Sequence, residues 1–290
     1  MKFKDLSINE ADVEEYRERG YWVSPKLLTD EQIARLRTAL RRIFDGDYDG
    51  EVYPYPGFSL HLGREHKYDP DSTTVRKMNN AGWINDDVRA TVTSPLLGSI
   101  ASQLMGCDAV RLWHDQVIWK PGVGSDTTRP AEGNNIGWHQ DYGYWQCCST
   151  TNMCTAWIAL QDTDMSNGGI RTIVYSHKWG LVDDAKQGFF EQDLNKLRDS
   201  FVTAKREWID EPCVLKAGQA SFHHALAFHG SGRNQTEQPR LAVVAHLMPA
   251  ETYYRGRVQY HPSIPLLGPN AGEGTPFEGK CFPKIWPQQM

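Results

Sequence analysis

The chain reads as a mainly β protein with flanking helices, a sandwich or jelly roll, on three observations. Short apolar and aromatic runs, separated by turns rich in Gly, Pro and Asn, fill the stretch from about residue 74 to 250. No regular alternation of strand and helix patterns links those runs, which removes a doubly wound parallel sheet. The clearest capped helical patterns are gathered near the N-terminus. At 290 residues the chain can bury a substantial core, and we read residues 1–290 as a single domain. It has N-terminal helices over 7–44, a β core over about 74–250, and a Gly- and Pro-rich tail over 251–290 that wraps the core.

Taken in order, Ser7-Ile8-Asn9-Glu10 is a capping box with Ser7 as N-cap, and Gly20 ends the helix it opens. Tyr21-Trp22-Val23 is a short strand. Thr29-Asp30-Glu31-Gln32 is a second capping box. Ile33, Leu36, Leu40 and Ile43 then recur at helical spacing, and the interleaved arginines form a solvated face. Asp45 to Gly50 has the look of a calcium loop, but the bidentate Glu needed at position 12 is Pro56, so a surface turn is expected. Residues 51–72 form a long aperiodic loop suited to a lid or substrate wall.

Thr74 to Met78 is a strand. Ser94-Pro95 opens a helix that runs through Met105 and stops at Gly106. Strands are expected over Val110–Lys120, Met153–Leu160, Ile170–Tyr175 and Leu241–Leu247. The polar, partly helical stretch from Gly180 to Ser200 is an insertion. Cys213-Val214-Leu215 and Ala220-Ser221-Phe222, joined at Ala217-Gly218, are expected to form a hairpin.

Composition excludes several function classes. Charges are nearly balanced, with a net of -5, and no clustered basic face suggests nucleic acid. No apolar run approaches the roughly 20 residues of a membrane helix, and no apolar h-region follows Met1-Lys2-Phe3-Lys4-Asp5. The six cysteines form no Cys-x-x-Cys pair. A reduced, cytoplasmic protein with free thiols is the expectation.

The chemistry gathers in two stretches, Gly137-Trp138-His139-Gln140-Asp141-Tyr142 and Phe228-His229-Gly230-Ser231-Gly232. If the first is a strand, His139 and Asp141 share one face, roughly 7 Å apart. Two neutral imidazoles and one carboxylate can occupy one face of an octahedral iron and leave three positions open. Arg240 follows His229 by eleven positions and opens an apolar strand. A cation there needs an anionic partner, and a planar guanidinium suits a carboxylate.

His139-x-Asp141, then His229-Gly-Ser231-Gly-x-Asn234, then Arg240 resembles the phytanoyl-CoA dioxygenase family of Fe(II)- and 2-oxoglutarate-dependent oxygenases. Asn167-Gly168-Gly169-Ile170 and Ser176-His177-Lys178-x-Gly180 resemble the family's central motif, with Val174-Tyr175 in place of its usual Pro-Gly. The likeness runs from about residue 9 to 250.

The resemblance implies a double-stranded β-helix, the cupin-like jelly roll. It implies His139, Asp141 and His229 as iron ligands, and Arg240 and Ser231 on the distal carboxylate of 2-oxoglutarate. Trp157, Gln116 and Lys77 would line the same cosubstrate. The implied reaction consumes O2 and 2-oxoglutarate, releases succinate and CO2, and oxidises an unactivated C–H of a small organic molecule. Related halogenases lack the carboxylate supplied here by Asp141, so hydroxylation is expected, with desaturation, cyclisation and epoxidation open to the same iron.

Lys120, at a strand end before Pro121, is expected to be exposed. His223 or His224 is expected to support the site from behind the ligands. Strand alternation turns Tyr142 and Tyr144 away from His139 and Asp141. Aromatic loops favour a moderately apolar metabolite or natural product as substrate. The rival readings are a non-redox cupin-type metalloenzyme such as an isomerase, and a noncatalytic jelly-roll binding protein. Arg240 argues against the first and the complete His-Asp-His set against the second.

Overall fold

The computed structural model describes residues 8–49, 72–126, 132–182, 188–189, 191–256 and 261–287. Helix α1 (Glu10–Arg19) is capped by Asn9, whose side chain accepts from the Asp12 amide while Asp12 accepts from the Asn9 amide. The box expected at Ser7 is therefore corrected to Asn9–Asp12, which offers the same reciprocal bonds two residues further along; Ser7 itself lies outside the described residues. Helix α2 (Asp30–Phe44) has the expected Thr29–Gln32 box. It buries Leu36, Leu40 and Ile43 almost completely, each worth about 1.5–3 kcal/mol. On its outer face Arg35 and Arg42 pair with Glu31, Asp87, Asp47 and Asp49.

Among the described residues eleven strands follow the helical start or interleave with it. They are β1 (Tyr21–Val23), β2 (Arg76–Asn79), β3 (Val110–Lys120), β4 (Ile136–His139), β5 (Cys154–Ala159), β6 (Ile170–Val174), β7 (Ile209–Pro212), β8 (Ala220–His224), β9 (His229–Ser231), β10 (Arg240–Pro249) and β11 (Lys284–Trp286). Helices α3 (Asp86–Val92) and α4 (Pro95–Met105) precede β3, and α5 (Leu194–Phe201) lies in the stretch between β6 and β7. The larger antiparallel sheet runs β1-β8-β5-β10-β3-β11, with β2 also on β3; the smaller runs β4-β9-β6-β7. This is the jelly roll.

Strand β10 shows how the sheet separates two environments. Leu241, Val243, Ala245 and Leu247 join α2 and α4 in the largest core cluster. Ala242 and Val244 share the interior with Trp157, on the neighbouring strand β5, and with Ile170 of the smaller sheet. By the same alternation Arg240 and His246 point inward.

The expected hairpin over 213–222 is corrected. The Cys213 amide bonds to the Ile170 carbonyl and Leu215 bridges to Thr163, whereas β8 pairs with β1 and β5. The turn through Ala217-Gly218 (Gly218 φ 87) thus carries the chain from one sheet to the other rather than back on itself. Two features lay outside the sequence reading. Helix α3 is only seven residues long and is capped by Asn85, and β11 returns from the tail to pair with β3. The loop proposed over 51–72 falls almost wholly outside the described residues.

Candidate active site

Strand β4 ends at His139, and Asp141 begins a tight turn, Asp141–Gly143. The strand expected through Tyr142 therefore stops early. The cause is Gln140, whose buried amide donates to the carbonyls of Gly180 (2.8 Å) and Leu226 (2.7 Å) and accepts from the Val182 amide (2.8 Å). Those three bonds pull the backbone out of the ladder. The turn, not strand alternation, brings Asp141 beside His139. It also redirects the tyrosines. Tyr144 lines the cavity and meets His139 edge-on at 6.1 Å, correcting the expectation that it faces away. Tyr142 packs into a separate aromatic core and donates to the Cys148 carbonyl.

The backbone fixes both imidazoles. His139 Nδ1 lies 2.8 Å from the Gly137 carbonyl, and His229 Nδ1 lies 3.0 Å from the Ala227 carbonyl. Carbonyls only accept, so each Nδ1 carries the proton and each Nε2 presents a lone pair. The two Nε2 atoms sit 3.7 and 3.6 Å from Asp141 Oδ1. That is too long for hydrogen bonds and suits three ligands around one ion. All the ligand atoms lie within 4.8 Å of one another.

Asp141 Oδ2 is held separately, accepting from Thr155 Oγ1 at 2.7 Å. Burial lowers the His139 pKa to about 4 and holds His229 well below its ordinary value, so both rings are neutral and free to ligate. Burial opposes ionisation of Asp141, but the imidazoles of His229, His223 and His246 outweigh it and hold the carboxyl well below the usual range. Two nitrogens and one oxygen with open positions fit a divalent transition metal such as iron.

Gly137 keeps this strand in place against its cover. A Cβ there would come within 1.7 Å of the Gly188 carbonyl, and next to Gly188 the Phe189 ring packs on His139 at 4.8 Å.

The triad lies in a cavity of ≈820 Å³ that also holds Arg240, Ser231, Trp157, Gln116 and Lys77. Arg240 is 3 % exposed, and its Nε and Nη1 have no hydrogen-bond partner. Its guanidinium lies 4.9 Å from the Trp157 ring centre. No carboxylate among the described residues pairs with it, and burial lowers its pKa to about 9.

Lys120 stands directly opposite Arg240 in the β3–β10 register. It is fully buried, not exposed as the sequence suggested. Its Nζ donates to Ser231 Oγ and to the Gly232 carbonyl, both at 2.6 Å. Gly168 (φ 68) makes room for its stem, since a Cβ there would lie 2.9 Å from Lys120 Cδ. Two buried basic side chains thus meet at one end of the cavity with an orphaned fork and a serine hydroxyl, and burial together with the Arg240 charge holds the Lys120 amine well below its usual range. Lys77 reaches the other side of the triad, 4.3 Å from the Phe189 ring centre, and burial lowers it to about 8 against the pull of Asp141.

His223 lines the cavity with Nε2 3.5 Å from Asp141 Oδ2. His224 instead accepts from the Leu226 amide and packs near Tyr16. Sequence reading missed His114, His246 and Phe189 as cavity residues. His114 has the same strand parity as Gln116, and His246 the same parity as Arg240, so alternation alone would have found both. Phe189 belongs to an insertion and gave no signal. The Val174-Tyr175 departure leaves the turn intact: Tyr175 adopts φ 67, and Ser176 Oγ bonds the Ile173 carbonyl and the Phe228 amide beside His229.

The model of the phytanoyl-CoA dioxygenase family matches residues 16–242. The chain belongs to that family. Its class is that of iron- and 2-oxoglutarate-dependent dioxygenases. Peroxisomal phytanoyl-CoA dioxygenase of Mus musculus is 27% identical over 80% of this chain and 65% of its own length, so the chain spans about two thirds of that relative. Ectoine dioxygenase of Streptomyces avermitilis is 25% identical over 81% of this chain and 77% of its own. The epimerase SnoN, solved with Fe3+, alpha ketoglutarate and nogalamycin RO, superposes with a TM-score of 0.72 at 23% identity, covering 95% of this chain and 98% of its own. The carbocyclase SnoK superposes at 0.69 and 22%, covering 96% of each chain. At those identities the two structures show the shared fold.

Proposed function

We propose that this protein hydroxylates an unactivated C–H of a small organic molecule, with 2-oxoglutarate and O2 converted to succinate and CO2. The observation that carries the reading is Arg240: a buried guanidinium with no anion among the described residues, in the same cavity as a buried His-Asp-His set. A dicarboxylate that reaches both features accounts for the pair. A non-redox metalloenzyme has no need of the second.

His139, Asp141 and His229 would hold the metal, each fixed from behind by Gly137, Thr155 and Ala227. Bound iron would supply the redox chemistry that couples decarboxylation of the cosubstrate to oxidation of the C–H bond. Arg240 and Ser231 take the distal carboxylate. Lys120 donates to Ser231 Oγ, which leaves the serine proton free to point at that carboxylate. Trp157 shields the Arg240 charge from water, and Gln116 and Lys77 flank the bound cosubstrate. Thr155 pins one oxygen of Asp141, so the other oxygen is the one that would hold the metal. A retained carboxylate ligand supports hydroxylation over halogenation.

The whole chain acts as one unit in this reading, with a moderately apolar substrate between Tyr144, Trp145 and Phe189. Six unpaired cysteines support a reducing, cytoplasmic setting. Among the described residues no helix is long and apolar enough to cross a membrane.

The test is anaerobic. Fe(II) followed by 2-oxoglutarate should give a weak visible charge-transfer band that Asp141→Ala abolishes, and aerobic turnover should release succinate. A folded, iron-loaded protein with no band refutes the proposal.

A further inference from the structure

The inner face of the larger sheet carries a second polar cluster, at the far end of the cavity from Arg240. His114 and His246 are direct cross-strand partners in β3 and β10, with ring centres 4.3 Å apart. His246 is six residues along β10 from Arg240, about 20 Å of strand. Each ring is 4 % exposed, and both line the cavity beside Trp145. Among the described residues neither ring nitrogen of His114 has a hydrogen-bond partner, nor has Nε2 of His246, nor has either ring nitrogen of His223 beside Asp141. Buried polar atoms without partners are uncommon and costly. The three of His114 and His246 lie together, away from the metal ligands' own contacts with His223, and point to a ligand group that satisfies them.

The hydrogen bonds set the polarity of that wall. Thr155 Oγ1 lies 2.7 Å from Asp141 Oδ2 and 2.8 Å from His246 Nδ1. An ionised carboxylate only accepts, so Thr155 gives its one proton to Asp141 and its oxygen accepts from His246 Nδ1. In the neutral ring Nε2 then remains an acceptor. An imidazole in its ordinary neutral form gives His114 one N–H and one lone pair.

An acceptor beside a ring that both donates and accepts is the complement of a hydroxyl, which gives one proton and receives another. A carboxylate has no proton for His246. An ammonium would sit near the Lys77 cation, whose charge already bears on both rings.

We propose that His114 and His246 form a hydroxyl-reading subsite, and that the prime substrate carries a hydroxyl that docks there with its apolar carbon skeleton against Trp145. The proposal rests on the dioxygenase reading above and extends it to the substrate.

The experiment uses the full chain, loaded anaerobically with Fe(II) and 2-oxoglutarate, and four matched probes: 2-tetralol, 2-methoxytetralin, 2-aminotetralin and tetralin-2-carboxylate. Dissociation constants come from ligand-observed NMR. The alcohol should bind about tenfold more tightly than the ether, the scale of a buried neutral hydrogen bond, and more tightly than the amine or the carboxylate. His246→Phe should erase the alcohol-over-ether preference, while His246→Gln, whose amide reaches the Nε2 position, should keep part of it. His114→Phe provides the same test should His246→Phe not fold. No binding of the alcohol, equal affinities, a preference for a charged probe, or a preference that survives the Phe substitution overturns the subsite. The charge-transfer band in the same samples reports the cosubstrate reading separately: a band without alcohol preference removes only the subsite.

Discussion

Replacing Arg240 by Met should affect folding and binding in opposite senses. The guanidinium is buried without an anion, and its pKa falls from 12.5 to about 9. At 1.36 kcal/mol for each pKa unit, that is at most roughly 5 kcal/mol of desolvation carried by the ligand-free protein at neutral pH. Loss of the contact with the Trp157 ring offsets about 1–2 kcal/mol of the relief. Arg240→Met, apolar and of similar length, should therefore leave ligand-free stability unchanged or raise it by up to about 3 kcal/mol. Cosubstrate affinity should fall sharply, because a buried charge-assisted fork contributes on the order of 3 kcal/mol, or about 150-fold in Kd. Arg240→Lys keeps the charge and loses the fork, so it should fall between the two. Urea denaturation of the ligand-free protein gives the first quantity, and anaerobic titration of the charge-transfer band with 2-oxoglutarate gives the second. A variant that loses more than about 2 kcal/mol of stability yet binds 2-oxoglutarate normally would show that the guanidinium is structural, and the argument from its missing anion would fail.

Lys120→Met removes the donor that orients the Ser231 hydroxyl; KM for 2-oxoglutarate should rise about tenfold with kcat within about twofold, as steady-state succinate assays would show, and an unchanged KM would refute the orienting role. Asp115 is buried, accepts from the Gly82 amide and has its pKa raised by burial from 3.8 to about 7. Its contribution to stability is therefore fully present below pH 3.8 and is lost as pH climbs to about 7, by at most roughly 4 kcal/mol. Asp115→Asn should flatten that part of the stability–pH curve and be the more stable protein at pH 8, which urea melts at pH 5 through 8 would check. Tyr175 holds a left-handed backbone at φ 67 with a half-exposed ring; Tyr175→Gly should gain about 0.5–1 kcal/mol in a thermal or urea melt, and a loss would mean that the ring contact with Lys178 matters more than the backbone.

What could be read from the sequence divides along a physical line. Features written in neighbouring residues came through closely. Ser94-Pro95 and Gly106 bound α4, and the aromatic and β-branched run from Val110 to Lys120 is β3. The order His139, Asp141, His229, Arg240 was readable because each stands in a short motif. Features set by distant contacts were not. Gln140 breaks β4 by reaching Gly180 and Leu226, so the strand reading of Asp141 and Tyr144 failed. Cys213–Leu215 was assigned to the wrong partner because its pairing with Thr163 and Ile170 is a long-range choice.

Lys120 is the sharpest case. A lysine before a proline at a strand end is ordinarily exposed, and nothing local says otherwise. Its burial depends on a glycine almost fifty residues later and on carbonyl and hydroxyl groups more than a hundred residues later. The same holds for His114 and His246, which meet only because β3 and β10 pair in one particular register. Burial of a polar group is decided by the whole fold, and a fold retains such a group where something satisfies it. For Lys120 that is Ser231 and Gly232. For Nε and Nη1 of Arg240, both ring nitrogens of His114 and Nε2 of His246, no group among the described residues does so, and these atoms are therefore strong indications of what the cavity binds.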